Sequence, residues 1–180
     1  MIQEATFGAG CFWCIEACFE TLKGVESVVP GYSGGHIENP SYREVCTGNT
    51  GHAEVARIRF DDKIISFESL LKVFWFIHDP TQLNRQGNDV GTHYRSVIFF
   101  HNSEQEEKAI NFKKQLGNEK VWDEPIVTEI SEINNFYTAE SYHKDYFELN
   151  PDNPYCNFVV RPKVEKFKQV FDGYLKYTKN

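Results

Sequence analysis

The sequence predicts an α+β fold: a two-layer sandwich with helices on one face of a mixed, mostly antiparallel sheet. The expected core is ferredoxin-like, βαββαβ, and an irregular C-terminal tail closes the chain. Three observations predict this. Hydrophobic periodicity alternates between strand-like and helix-like along the chain in the order β-α-β-β-α-β, followed by α-β. At 180 residues, 41% apolar and 15% aromatic, the chain is large and apolar enough to bury a core without staples. No repeat, low-complexity tract or linker divides it, so residues 1–180 are expected to form a single domain.

Each element has its own signal. Ala5 to Gly10 is short and ends in glycines, as a buried strand does before a turn. Cys11, Cys14, Cys18 and Leu22 recur at three- and four-residue intervals with Glu16 and Glu20 on another face, which predicts a helix that stops at Lys23-Gly24. Val25–Tyr32 and the alternating Ala53–Phe60 read as strands. Between them, YSGGHIENPSYREVCTGNTGH is too rich in Gly, Asn, Pro and Ser for a regular element, and a long irregular loop in a compact domain marks function. Ser66 is expected to cap a buried helix over Phe67 to about His78. A second irregular loop, HDPTQLNRQGNDVGTHY, leads to a strand over Arg95–Phe100. Ser103 with Glu106 makes a capping box for a helix to about Leu116. Ile126–Ile130 is expected to be a strand, and a final helix spans about Lys163 to Tyr174.

Charge and composition narrow the function. The net charge of −7 and pI of about 5.4 argue against nucleic acid and anionic membranes as partners. The N-terminal MIQEATFGAG lacks the charged and apolar regions of a secretory signal, and no apolar run is long enough to span a membrane. A cytoplasmic protein, a monomer, is expected. Five cysteines, three of them within residues 11–18, make a poor disulfide framework.

GAGCFWCIEACFE, residues 8–20, admits four readings. A structural zinc site wants two close ligand pairs, and only one CxxC is present, so no metal is expected. Cys18 fits simple core packing. Cys11, just behind Gly8-Ala9-Gly10 at a helix start, sits where backbone N–H groups and the helix dipole favour a thiolate, which predicts a nucleophile of lowered pKa. A thioredoxin-type CxxC exchanger would need only Cys11 and Cys14. With no GxGxxG or P-loop behind any strand, no nicotinamide, flavin or other cofactor is expected.

Five ordered blocks carry a resemblance: GCFWC at 10–14, GYSGG at 31–35, NPSYREVCTGNTGHAE at 39–54, HDPTQLNRQGNDVGTHYRS at 78–96 and AESYHKDY at 139–146. Together they resemble peptide methionine sulfoxide reductase A, over about Thr6 to Pro162. The resemblance implies a thioredoxin-dependent oxidoreductase of protein repair. It would reduce the S epimer of methionine sulfoxide in proteins, and the free form, to methionine.

By that resemblance Cys11 is the nucleophile, attacking the sulfoxide sulfur and becoming a sulfenic acid. Glu54 is the acid that protonates the departing oxygen, and burial would keep it protonated near neutral pH. Tyr42 and Tyr94 match tyrosines that bond the sulfoxide oxygen, and Asp89 matches an aspartate that orients the cysteine and water. Phe12 and Trp13 match the aromatic pair that receives the S-methyl group. Cys156, in NPYCNFVVRP, occupies the region of the resolving cysteine and is flanked by residues suggesting a mobile loop. The chain departs from the family at position 14, where glycine is common, so Cys14 is an alternative resolving thiol. Cys46 has no assigned step. Beyond Met1 the chain contains no methionine, which suits a protein working among oxidants. A module that binds methionine peptides without turnover would keep the aromatic pair but not need Glu54.

Overall fold

The structure is a computed structural model that describes residues 1–176; the last four positions of the expected 1–180 span lie outside the described residues. The elements are β1 (Ile2–Gly8), α1 (Phe12–Phe19), β2 (Val25–Ser33), α2 (Tyr42–Cys46), β3 (Ala53–Asp61), α3 (Phe67–Phe76), β4 (Arg85–Gln86), β5 (Asp89–Val90), β6 (Val97–Phe100), α4 (Ser103–Asn118), β7 (Glu129–Glu132), β8 (Tyr137–Thr138), α5 (Tyr146–Leu149) and α6 (Arg161–Val170). The main sheet runs β7-β6-β1-β3-β2-β8. Its central four strands have the 4-1-3-2 order of a ferredoxin-like βαββαβ unit, antiparallel throughout, and β7 adds to β6 in parallel. The mixed, mostly antiparallel α+β fold expected from the sequence is therefore present.

Strand periodicity decides which residues reach the site. Along β3, Ala56, Ile58 and Phe60 join the main core while Val55 joins a smaller cluster with Ala53, Val97 and Phe99 on the opposite face. Glu54 is in phase with Ala56, Ile58 and Phe60, so it points to the helix side. The main core is aromatic: Phe7 packs against Phe19, Phe67 and Phe74 at centroid distances of 5.7, 6.0 and 5.1 Å. That cluster fixes α1 and α3 over β1.

Several boundaries differ from the sequence reading. The first helix stops at Phe19 rather than Gly24, because the Thr21 hydroxyl takes the Cys18 carbonyl at 2.7 Å and the chain turns. The cap of α4 is Asn102, whose side chain accepts from the Gln105 N–H at 2.9 Å, not Ser103. The strand expected over Ile126–Ile130 lies at Glu129–Glu132, where Glu129 pairs in register with Val97. The last helix begins earlier, at Arg161, directly after a π-helical turn over Cys156–Val160. Both irregular loops hold short structure: α2, closed by a Ser41–Glu44 capping box, and the β4–β5 hairpin. Among the described residues, no helix is long and apolar enough to cross a membrane.

Candidate active site

Gly10 makes the corner between β1 and α1. Its φ of +87° turns the chain sharply, and a Cβ there would lie 2.9 Å from the Gln86 side chain. Cys11 follows as the N-cap residue of α1, in extended conformation and with no side-chain capping bond. The cap is supplied by another strand: Glu54 Oε1 accepts the Phe12 N–H at 3.3 Å. Nucleophile candidate and acid candidate thus share one helix end.

The electrostatics of Cys11 reverse the sequence expectation. Burial pushes its thiol well above the ordinary range, the neighbouring Glu54 and Cys14 add to this, and the Trp13 N–H opposes it only in part. The helix end is present, but with the residue 7% exposed, loss of hydration outweighs the dipole. Cys11 rests as a thiol. Glu54 behaves as expected: burial raises it to about 8, against the Phe12 N–H and with the help of the Asp89 charge. Its Oε2 is buried and has no hydrogen-bond partner. A protonated carboxyl with one oxygen free can give a proton to something placed there.

Around this pair the irregular loops and the tail converge. Tyr42, the first residue of α2, and Tyr94, in the turn Thr92–Tyr94, are half-buried, and burial and then the Glu54 charge hold both phenols protonated. Asp89 accepts a short hydrogen bond from the Tyr155 hydroxyl. Phe12 is fully buried between Tyr32, Tyr42 and His143 at 5.8, 6.4 and 4.9 Å. Trp13 stacks on Tyr146 at 3.8 Å and 6°, meets the edge of Tyr155 at 5.7 Å, and donates its indole N–H to His143 Nδ1 at 3.0 Å.

The chain is similar to known proteins in sequence and in fold. The sequence model of the family described as "Peptide methionine sulfoxide reductase" matches residues 3–174. The chain belongs to the peptide methionine sulfoxide reductase family. It is 52% identical over 171 residues to "Peptide methionine sulfoxide reductase MsrA" of Natronomonas pharaonis, covering 95% of this chain and 96% of the relative. The corresponding protein of Saccharolobus solfataricus is 51% identical over 179 residues, covering 97% and 98%. Reduced Mxr1 from Saccharomyces cerevisiae superposes with a TM-score of 0.80 at 34% identity, covering 86% of this chain and 89% of that one. Like its family, the chain is an oxidoreductase acting on methionine sulfoxide.

The reductase fold brings Cys11, Glu54, Tyr42, Tyr94, Asp89, Phe12 and Trp13 toward one helix end, and places the thiols differently from the sequence picture. Cys156 is not on an open loop: it is fully buried, the first residue of the π-helical turn that runs into α6. Cys14 is buried, bonded through its N–H to the Cys11 carbonyl at 3.2 Å, and burial raises its thiol to about 11. Cys18 is fully buried in the core. Cys46 is exposed at the end of α2, where burial raises its thiol and a hydrogen bond with Tyr42 lowers it.

Sequence reasoning missed the contribution of the tail. Glu140 accepts from the Tyr42 N–H and from the Tyr32 hydroxyl, both at 2.9 Å, tying α2 to β2. His143 and Tyr146 clamp Trp13, and Tyr155 holds Asp89. The block AESYHKDY carried family resemblance but no role; its density of aromatic and polar residues just before a helix was the available signal.

Proposed function

We propose that the protein is a peptide-methionine (S)-S-oxide reductase, with residues 1–180 as one catalytic domain. The observation that carries the reading is a buried carboxyl, Glu54, at about 8 with one unpartnered oxygen, on the helix end that begins with Cys11. The Cys11 sulfur attacks the sulfoxide sulfur as its proton leaves, Glu54 gives a proton to the sulfoxide oxygen, and the S–O bond breaks. The hydroxide so released attacks the Cys11 sulfur, the sulfur–sulfur bond formed in the attack breaks, and methionine departs with its sulfur reduced by two electrons. Cys11 becomes a sulfenic acid, and its former proton restores Glu54. Tyr42 and Tyr94, kept as neutral phenols, donate hydrogen bonds to the same oxygen. Asp89, held by Tyr155, orients the reacting groups, and Phe12 with Trp13 forms the apolar wall for the S-methyl group.

The second half of the cycle needs another thiol. Cys156 attacks the sulfenic sulfur, water leaves, and a Cys11–Cys156 disulfide forms. Its burial requires the turn 156–160 to open first, and π-helical geometry marks a local irregularity suited to that. Thioredoxin then reduces the disulfide. Yeast Mxr1 has been solved in complex with Trx2, which supports this partner. A cytoplasmic, reducing setting and a monomeric state suit an enzyme whose working thiols must return to the free form.

The test mixes pre-reduced protein with S- or R-methionine sulfoxide peptide and no recycling reductant. About one methionine per chain from the S epimer alone, with a Cys11 disulfide mapped by mass spectrometry, is the expected result. Binding without methionine formation would leave the protein a recognition module and sink the mechanism.

A further inference from the structure

Three residues after Trp13 on α1, Glu16 carries a buried carboxylate that the reaction does not use. Its Oε1 accepts the Asp145 N–H at 2.7 Å. Its Oε2 lies 3.1 Å from Lys144 Nζ, close enough for an ion pair though not aligned as a hydrogen bond. The Lys144 ammonium also pairs with Glu20 and with Asp145 Oδ1, so the three carboxylates already share a cation from the chain itself. Burying a carboxylate is costly, and an apolar side chain of similar volume would fill the space without that penalty. The residue it holds is unusual too: Asp145 has a φ of +55°, left-handed backbone that non-glycine residues adopt rarely.

That strained residue sits between the two that clamp Trp13. His143, two residues before it, accepts the indole N–H at 3.0 Å; Tyr146, one residue after it, stacks on the ring at 3.8 Å. We propose that Glu16 is a positioning residue for substrate binding: by holding the Asp145 N–H it fixes the 143–146 turn, and through that turn the orientation of Trp13. The inference rests on the reading of Phe12 and Trp13 as the wall that receives the S-methyl group. One helix thereby carries both the indole and the anchor of the segment that clamps it, so the apolar wall is formed before substrate arrives.

A pH dependence follows. Burial raises Glu16 to about 7, with Lys144 opposing and Glu20 adding to the rise. The groups facing it are Lys144, Glu20 and Asp145, and Glu148, Lys168 and Lys176 line the same cavity of about 600 Å³. Protonation weakens the grip on the Asp145 N–H, so KM should rise as pH falls through about 7.

The test measures KM, the single-turnover rate of methionine formation and thermal stability for wild type, Glu16→Leu, Glu16→Gln and Trp13→Ala. Glu16→Leu is expected to raise KM about tenfold, within the roughly 10²-fold that misplacing binding groups by 1 Å can cost, and to change the single-turnover rate less. Glu16→Gln keeps an acceptor for the Asp145 N–H and should restore most of the binding, with a KM flat across pH 6–8 by the loss of the titrating group. If Glu16→Leu does not fold, Glu16→Gln decides alone: a KM that still rises at low pH as in wild type overturns the proposal. Trp13→Ala raising KM while both Glu16 variants leave it unchanged also overturns it, with the wall reading intact. Trp13→Ala leaving KM unchanged removes the wall reading and the proposal with it.

Discussion

The Phe12 N–H and the Glu54 carboxyl meet at 3.3 Å in a buried space, so the end of α1 is capped by an acid from β3 instead of by its own N-cap residue, Cys11. This bond holds one carboxyl oxygen and leaves the other without a partner. Glu54→Gln keeps an acceptor for the N–H but has no proton of suitable acidity to give. Methionine formation in a single turnover should fall by about 10²–10⁴-fold, with peptide binding retained. A full rate in the glutamine variant would remove Glu54 as the acid.

The two groups differ in where they titrate. With Glu54 near 8, the protonated acid is present below that pH and lost above it, while burial keeps Cys11 a thiol across this range, so the reactive pair is the thiol and the protonated acid. The single-turnover rate should therefore decline on the alkaline side of about 8, and Glu54→Asp should move that limb. A rate that climbs steadily to pH 10 would place proton delivery elsewhere.

Much of this was legible in the sequence, and the gaps have physical causes. Alternation in AEVARIRF marked the strand, but the burial of Glu54 was expected only from the family resemblance; the structure puts it in phase with the core residues Ala56, Ile58 and Phe60. Cys11 was placed at a helix start, but its electrostatics were misjudged. Dipole effects follow from local sequence, whereas the burial of the thiol and the charge of Glu54 beside it depend on how distant segments pack. The clamp on Trp13 was invisible because it joins residues 130 or more positions apart and turns on a left-handed Asp145 that no turn signal announces.

Gly10 tests the corner that presents Cys11. Alanine there must adopt a positive φ, and its Cβ would lie 2.9 Å from Gln86. Gln86 cannot yield freely, since its side-chain amide bonds both the N–H and the carbonyl of Asp79 at 3.0 Å. Gly10→Ala should destabilise the protein by about 1–3 kcal/mol in denaturant unfolding. Activity should fall further than stability explains, because Cys11 is the next residue. A variant of unchanged stability would show that the corner relaxes.

Cys156→Ser separates chemistry from recycling. The variant should form about one methionine per pre-reduced chain and stop with Cys11 as sulfenic acid, trapped by a sulfenate-specific reagent, even with thioredoxin present. Continued turnover would transfer the resolving role to Cys14, and Cys14→Ser would then stop the cycle. Cys46, exposed and bonded to Tyr42, serves as the control whose serine variant should still cycle.

His78 supplies a stability prediction independent of the reaction. Its Nδ1 lies 2.6 Å from the Phe74 carbonyl, to which it must donate, so Nε2 accepts from the Ser96 hydroxyl at 2.7 Å. Ser96 Oγ is in turn 2.7 Å from Thr128 Oγ1, joining α3, β6 and the segment before β7. This arrangement uses the neutral ring, and burial lowers the folded-state value from 6.5 to about 3. Between those values the unfolded chain binds a proton that the folded chain refuses, so stability rises with pH across the window and is lost as pH falls below 6.5. The slope should be about 1.4 kcal/mol per pH unit for this one group, added to that of any other titrating residue. Denaturant unfolding of wild type and His78→Gln between pH 4 and 7 isolates it: the variant is less stable at pH 7 and its curve flatter by one proton. Parallel curves for the two proteins would mean that His78 protonates in the folded state without hindrance.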